Sequence, residues 1–314
     1  MSKQEKTRIR TAPLFGIHWR RVILQACLLL IMILVSPSLS FAGMLSQQDI
    51  SYTVVKGDTF SSIGSAFGVD WREIAMDNGL DPSRELRAGR KLRITASRII
   101  PETTQTGIFI DIPGRMLYLF DRGIPLMAVP VGLGKPRSDG NRGWETPEGT
   151  FTIKGRLKNP DWAVPKSIQE EMRREGLAAK ESYPPGPKNP VGGYVLLTTI
   201  PGILIHETID PLSVSRFLSH GCVRVLAKDM EQLFGYAVSG MAGEIVYAPI
   251  KIASLSNGRV FIEVNKDVYG KIKDMQAEAL RLLKNSNLTG KVDLTKLAKA
   301  VQEQTGIPAD VTAR

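Results

Sequence analysis

The chain has 314 residues, a formal charge of +10 and 43% hydrophobic content, which suits two or three packed domains. The basic excess is spread without a dense Lys/Arg run, so nucleic acid is not an expected partner. Residues 1–42 hold six of the basic side chains and one acid, and without them the charge falls to about +5.

Those first 42 residues read as a secretory signal. Lys3, Lys6, Arg8, Arg10, Arg20 and Arg21 precede an apolar run from Val22 to Val35, which is short for a membrane span. Pro37 breaks the run, and Ser40-Phe41-Ala42 places small residues where a signal peptidase reads, so cleavage is expected after Ala42. An uncleaved anchor is the alternative. Arg20-Arg21 fits a twin-arginine signal poorly, and Cys27 sits inside the apolar run rather than after it, unlike a lipobox cysteine. The membrane is therefore expected to matter only through this segment.

Residues 51–94 form the next unit. Tyr52 and Val54 alternate as in a strand, and Asp58 or Thr59 is suited to cap a helix. Phe60, Ile63 and Phe67 fall at helical spacing before Gly68, a helix stop. Asp70 with Glu73 three residues later resembles a capping box opening a second helix, which ends near Asn78-Gly79. Leu92-Arg93-Ile94 alternates again, completing strand, helix, helix, strand. The stretch "YTVVKGDTFSSIGSAFGVDWREIAMDNGL" followed by "LRAGRKLRI" resembles a LysM module almost end to end. The resemblance implies binding to N-acetylglucosamine-containing glycan strands, chiefly peptidoglycan. It places the ligand between Gly57, Asp58, Thr59 and Phe60 on one side and Asn78, Gly79, Leu80 and Asp81 on the other. Each of these residues also has an ordinary structural use as turn, cap or core.

Residues 95–105, rich in Ser and Thr, read as a linker. From 106 to 248 many short strand signals are separated by turns, among them Pro113-Gly114, Arg122-Gly123 and the type I turn Thr146-Pro147-Glu148-Gly149. Such a pattern predicts a mainly β domain, a sandwich or barrel. Residues 166–176 are a helical interruption, and the Pro-rich stretch 183–190 is expected to lie as a loop over a site.

"SHGCVRV", residues 219–225, holds the one cysteine left after export. The two remaining histidines, His206 and His220, lie within twenty residues of Cys222. A nucleophilic thiol needs a base and a donor pocket for an oxyanion. His206 ends an apolar strand, a rigid place for a base, and Gly221 lets backbone approach a substrate closely. The pattern predicts a thiol of lowered pKa. A buried, inert thiol is the plain alternative. A metal site from His206, His220 and Cys222 departs from the usual ligand spacings, so no metal is expected.

"HETIDPLSVSRFLSHGCVRV" is similar to the signature of the L,D-transpeptidase (YkuD-type) catalytic domain, with "TPEGTFTI" and "NPDW" in further support. The resemblance implies a β-sandwich of that type. It makes Cys222 the nucleophile and His206 the proton donor and acceptor, held by an oxygen of Glu207, where family members commonly have Gly or Ser. It assigns His220 and Gly221, with Ser219, to the loop supplying oxyanion donors, and Arg224 to substrate or loop support. The implied reaction forms a thioester with a peptidoglycan stem tetrapeptide, releases D-Ala and cross-links two third residues, and it calls for neither a metal nor an organic cofactor. Water as acceptor would make an L,D-carboxypeptidase, and a lysine of an outer-membrane lipoprotein would make a lipoprotein-to-wall ligase. A fold that only binds the wall is the remaining alternative. An exported, periplasmic, wall-associated protein is expected.

Residues 249–314 lie beyond the resemblance. Asn257-Gly258 signals a hairpin, and 272–283 and 294–301 read as two amphipathic helices. A packing appendage is the expectation there.

Overall fold

The computed structural model describes residues 43–103, 105–137 and 143–314, and the expected signal with its cleavage site lies outside them. The chain begins with β1 (Gly43–Thr53), α1 (Phe60–Phe67), α2 (Trp71–Asp77) and β2 (Lys91–Pro101). Thr59 caps α1, accepting from Ser62 N–H while the Ser62 hydroxyl accepts from Thr59 N–H. The reciprocal box thus forms on α1. On α2, Asp70 accepts from Arg72 N–H instead. Gly68 ends α1 in the left-handed region at φ 66°, as its lack of a Cβ allows. Val54, Phe60, Ile63, Ile74, Leu92 and Ile94 form a small core of their own.

The two strands of this unit run on past it. They pair antiparallel from Thr53↔Lys91 to Gly43↔Pro101, so most of the stretch expected as linker is strand. Ile99 and Ile100 are buried, and Ile99 packs with Ala253 and Phe261 of the C-terminal hairpin. The Ser and Thr content of 95–105 masked a ribbon that is buried along part of its length.

The central domain is mainly β, a sandwich closed at both edges. One layer contains β3 (Gly107–Asp111), β4 (Met116–Asp121) and β13 (Ala242–Val246). The other contains β9 (Tyr194–Thr198), β10 (Leu204–Glu207) and β12 (Val223–Val225), with β11 (Phe217–Ser219) at its margin. Two long strands belong to both layers. β5 (Ile124–Gly134) pairs first with β4 and then, at Val131 and Gly132, with β12. β6 (Gly149–Lys158) pairs with β13 up to Thr152 and with β9 from Ile153 onward, the register slipping between Ile153 and Gly155. Such a slip bends a strand, which lets it turn from one layer into the other. Inside lie Ile108, Ile110, Leu117, Val131, Ile205 and Val223.

β7 (Trp162–Ala163), α3 (Lys166–Arg174) and β8 (Ser182–Tyr183) form the expected interruption between β6 and β9. α4 (Ala227–Tyr236) packs its fully buried Met230 and Leu233 against the sandwich core.

The C-terminal part folds as β14 (Ile250–Ser254), β15 (Val260–Val264), α5 (Met275–Asn285), α6 (Leu294–Glu303) and β16 (Ala309–Asp310), around Ile252, Ile262, Leu283 and Leu297. It is tied to the other units by buried charge. Lys251 Nζ lies 2.6 Å from both Asp111 Oδ2 and Glu263 Oε1, and Glu263 Oε2 accepts from Ile99 N–H at 2.6 Å. One ammonium thereby links β14 to β3 and, through Glu263, to β2.

Candidate active site

β10 and β12 run parallel, with Ile205 opposite Val223 and His206 opposite Arg224. Ile205 and Val223 are fully buried. Side chains alternate along a strand, so His206, Arg224 and, one step before β12, Cys222 share the other face. Strand spacing and rise put the His206 and Cys222 backbones about 8 Å apart.

His206 is 5% exposed, and its Nδ1 lies 2.6 Å from the Glu207 carbonyl oxygen. A carbonyl can only accept, so Nδ1 carries the proton and Nε2 keeps its lone pair. Burial pulls the pKa down to about 4; the bond to Glu207 opposes this and the Arg224 charge adds to it. The imidazole is therefore neutral at pH 7. The Glu207 carboxylate has a separate use: Oε2 accepts from Gly193 N–H at 3.0 Å and holds the end of the Pro-rich loop.

Cys222 is half-buried, with its sulfur between Leu204 N–H at 3.4 Å and the Gly202 carbonyl at 3.5 Å. Burial pushes the thiol pKa up, against the opposing pull of Leu204 N–H and Arg224. This corrects the expectation of a lowered pKa: proximity in sequence to two histidines did not reveal how little water reaches the sulfur. Among the described residues no hydrogen bond joins Cys222 to His206. At rest the pair is neutral thiol and neutral imidazole on one face, not an ion pair.

The loop before the cysteine is locked. Ser219, 2% exposed, donates to Cys222 O at 2.6 Å and accepts from Gly221 N–H at 3.2 Å. That N–H is thus engaged within the loop, which leaves it less free to serve an oxyanion. Gly221 has φ +103°, and a Cβ there would stand 3.0 Å from Ile203 Cδ1.

Arg224 is also half-buried, and among the described residues no carboxylate lies within ion-pair distance of it. His220 stacks on Trp144 with ring centroids 3.8 Å apart. Its Nε2 lies 2.7 Å from Glu171 Oε2, but off the line a hydrogen bond would take. Burial holds the His220 pKa down, with Glu171 opposing.

Several contributors have no signal in the sequence pattern. Glu171 on α3 reaches both His220 and Lys135, the latter at 3.0 Å. No residue of α3 is buried, so polar contacts of this kind hold it beside the site. Thr146, read only as a turn residue, is fully buried; its hydroxyl donates to Gly221 O and accepts from Gly134 N–H. Tyr269, from the C-terminal part, accepts from Thr146 N–H and donates to Gly134 O, so that part braces the site as well as packing.

The residues expected to hold glycan are mostly committed within their own module. Asp58 accepts from Tyr52 OH and Val55 N–H, and Thr59 caps α1. Phe60 is buried at 5% exposure. Asn78 bridges Ile74 and Arg93 backbone, and Asp81 accepts from Ser83. Gly57 and Gly79 take positive φ at turns, where a side chain would be strained, and Leu80 packs partly against the module core.

Residues 105–252 match the model of the L,D-transpeptidase catalytic domain, and residues 52–95 that of the LysM domain. The chain is 26% identical over 264 residues to a protein named probable L,D-transpeptidase YcfS from Escherichia coli K12, covering 81% of each. It is 27% identical over 231 residues to probable L,D-transpeptidase YbiS of the same strain, covering 71% of this chain and 73% of the relative. Among solved structures, L,D-transpeptidase 3 from Mycobacterium tuberculosis aligns at 15% identity and a TM-score of 0.34, covering 52% of this chain and 76% of its own. Among the described residues no helix is long and apolar enough to cross a membrane.

Proposed function

We propose that this chain, which carries an L,D-transpeptidase catalytic domain behind a LysM domain, cross-links peptidoglycan stem peptides through a thioester on Cys222. The observation that best supports this is His206, neutral, its Nδ1–H fixed by the Glu207 carbonyl, on the same sheet face as Cys222. A base oriented by its other nitrogen is poised to take a proton.

With both groups neutral at rest, attack begins by rotating the thiol from Gly202 O toward His206. The thiol proton passes to Nε2 as sulfur bonds to the carbonyl carbon of the third stem residue. The C–N bond to D-Ala then breaks, and the imidazolium returns the proton to the leaving amine. A thioester remains. An amine from a second stem loses a proton to His206 as it bonds to the thioester carbonyl carbon; the C–S bond breaks, and the imidazolium returns that proton to sulfur, regenerating the thiol. Leu204 N–H, already directed at sulfur, stabilises the negative charge that gathers there. Arg224, without an ion-paired carboxylate, suits a substrate carboxylate. The LysM module raises the local concentration of stems by holding the enzyme on glycan.

The test is mass spectrometry of products from disaccharide-tetrapeptide incubated with wild type, Cys222→Ala and His206→Ala. Release of D-Ala coupled to dimer formation is expected from wild type alone. Tripeptide without dimer across a wide substrate range makes the chain a carboxypeptidase. Activity surviving in Cys222→Ala refutes the thioester. If wild type gives neither product, linkage of a lipoprotein lysine to sacculi separates a ligase from a protein that only binds the wall.

A further inference from the structure

Tyr269 follows β15 and lies beyond the residues that match the catalytic-domain model. Its hydroxyl nevertheless makes both of its bonds beside the cysteine. It donates to Gly134 O at 2.9 Å and accepts from Thr146 N–H at 3.1 Å. A phenol has one proton to give and lone pairs to receive, so it can serve both partners at once. Burial raises its pKa, which keeps that proton in place.

Both partners lead on to the Cys222 loop. The Thr146 hydroxyl accepts from Gly134 N–H at 2.9 Å and donates to Gly221 O at 3.0 Å. Lys135 N–H, next along the chain from Gly134, donates to Ser219 O at 2.9 Å. Gly134 packs so closely on the neighbouring backbone that a Cβ would collide with Trp144 O and Thr146 N. One hydroxyl thus fixes two short segments, and each holds one end of residues 219–221. The hold on Gly221 O has a chemical consequence. It sets the plane of the Gly221–Cys222 peptide, and in a trans peptide the N–H points opposite to the C=O. The direction of Cys222 N–H is therefore decided by where Thr146 stands.

Tyr269 is itself firmly placed. Tyr247 stacks on it with ring centroids 5.5 Å apart, and Phe217 meets it edge-on at 5.8 Å. The Tyr247 hydroxyl accepts from Tyr269 N–H and donates to Asp267, which in turn accepts from Lys271 and Ile272 N–H. Lys271 pairs with Glu148, so the same turn grips residues 146–148 at two points. That ion pair is partly exposed and adds little by itself. The bonds of the buried Thr146 carry the geometry.

We infer that Tyr269 is a positioning residue for acylation: through Thr146 it aims the Cys222 N–H at the carbonyl oxygen that becomes an oxyanion when sulfur attacks. This rests on the thioester chemistry proposed above. A donor stabilises developing charge by being aimed in advance, because turning it during the reaction consumes the gain.

The test compares two reactions of one thiol in the full chain carrying Cys27→Ser, which leaves Cys222 as its only cysteine. A carbapenem acylates sulfur through a tetrahedral oxyanion. Iodoacetamide alkylates it by displacement and forms no oxyanion. Intact mass follows both rates. Tyr269→Phe deletes the hydroxyl and keeps the stacked ring. It should slow acylation about tenfold and leave alkylation within about twofold of wild type. Thr146→Val should slow acylation at least as much, and Thr146→Ser, which keeps a hydroxyl, should restore it. Combining Tyr269→Phe with Thr146→Val should slow acylation by less than the product of the two effects, since they act in series. The amide NMR signal of 15N-labelled Cys222 should move in Tyr269→Phe and Thr146→Val and stay near its wild-type position in Thr146→Ser. Unchanged acylation or an unmoved amide in Tyr269→Phe overturns the inference. So does an equal loss of alkylation, which means a general loosening around the thiol, or a double variant that shows the full product. If the wild type is not acylated at all, the thioester reading fails, and the Cys222 amide still decides whether Tyr269 orients that peptide.

Discussion

Acid should destabilise this fold through His206 in a way that one substitution removes. The side chain is 5% exposed and its folded pKa is about 4, against ~6.5 in an unfolded chain. The folded state therefore resists protonation between those values while the unfolded state accepts it. Its contribution is fully present above pH ~6.5 and is lost as pH falls toward 4. The gap corresponds to ~3 kcal/mol, a large part of the stability of a typical domain. Screening takes little from this figure, because the ring is buried. Urea unfolding of wild type and His206→Gln at pH 7, 6, 5 and 4 isolates it, since other titrating groups are common to both. Wild type should lose ~3 kcal/mol more than the variant across that range. Proton NMR of the imidazole should show a midpoint near 4, with His220→Gln identifying which ring is which. Parallel stability curves, or a midpoint near 6.5, would refute the reasoning that burial holds this imidazole hard to protonate.

Two further outcomes follow from buried groups. Lys251→Met leaves Asp111 and Glu263 facing each other in the interior, which should cost ~3–5 kcal/mol by thermal or urea unfolding. The loss should be smaller at pH 5, because burial already raises Asp111 and its protonation relieves the unpaired charge; a loss below ~1 kcal/mol at pH 7 would show that the triad is not a structural link. Gly221→Ala forces a side chain into φ +103° and against Ile203, a strain of ~1–3 kcal/mol. It should slow acylation of Cys222 by a carbapenem, followed by intact mass, and an unchanged rate would show that the loop tolerates the displacement.

The LysM unit was legible because its signals are local. Phe60, Ile63 and Phe67 repeat at helical spacing, and Gly68 and Asp70 punctuate within a few residues. The capping box was read on the wrong helix because Asp70-x-x-Glu73 and Thr59-x-x-Ser62 both offer a cap, and only backbone geometry chooses between them. The linker reading of 95–105 failed for a different reason. Whether Ile99 is covered depends on Ala253 and Phe261, more than 150 residues away.

What the sequence determined by itself was the candidate pair for the proposed chemistry and the local elements that carry it: Cys222 after a Gly, and His206 at the end of an apolar strand. Side-chain period and turn chemistry act over a few residues, so they survive in a one-dimensional reading. The tertiary structure alone decided protonation and support. Burial makes His206 hard to charge and raises the Cys222 thiol, and the Glu207 backbone, not its carboxylate, orients the imidazole. Thr146 reaches Gly221 across 75 positions and Tyr269 reaches Gly134 across 135. Desolvation and contacts at such separations depend on which surfaces the packed chain brings together, and no spacing along the sequence encodes them.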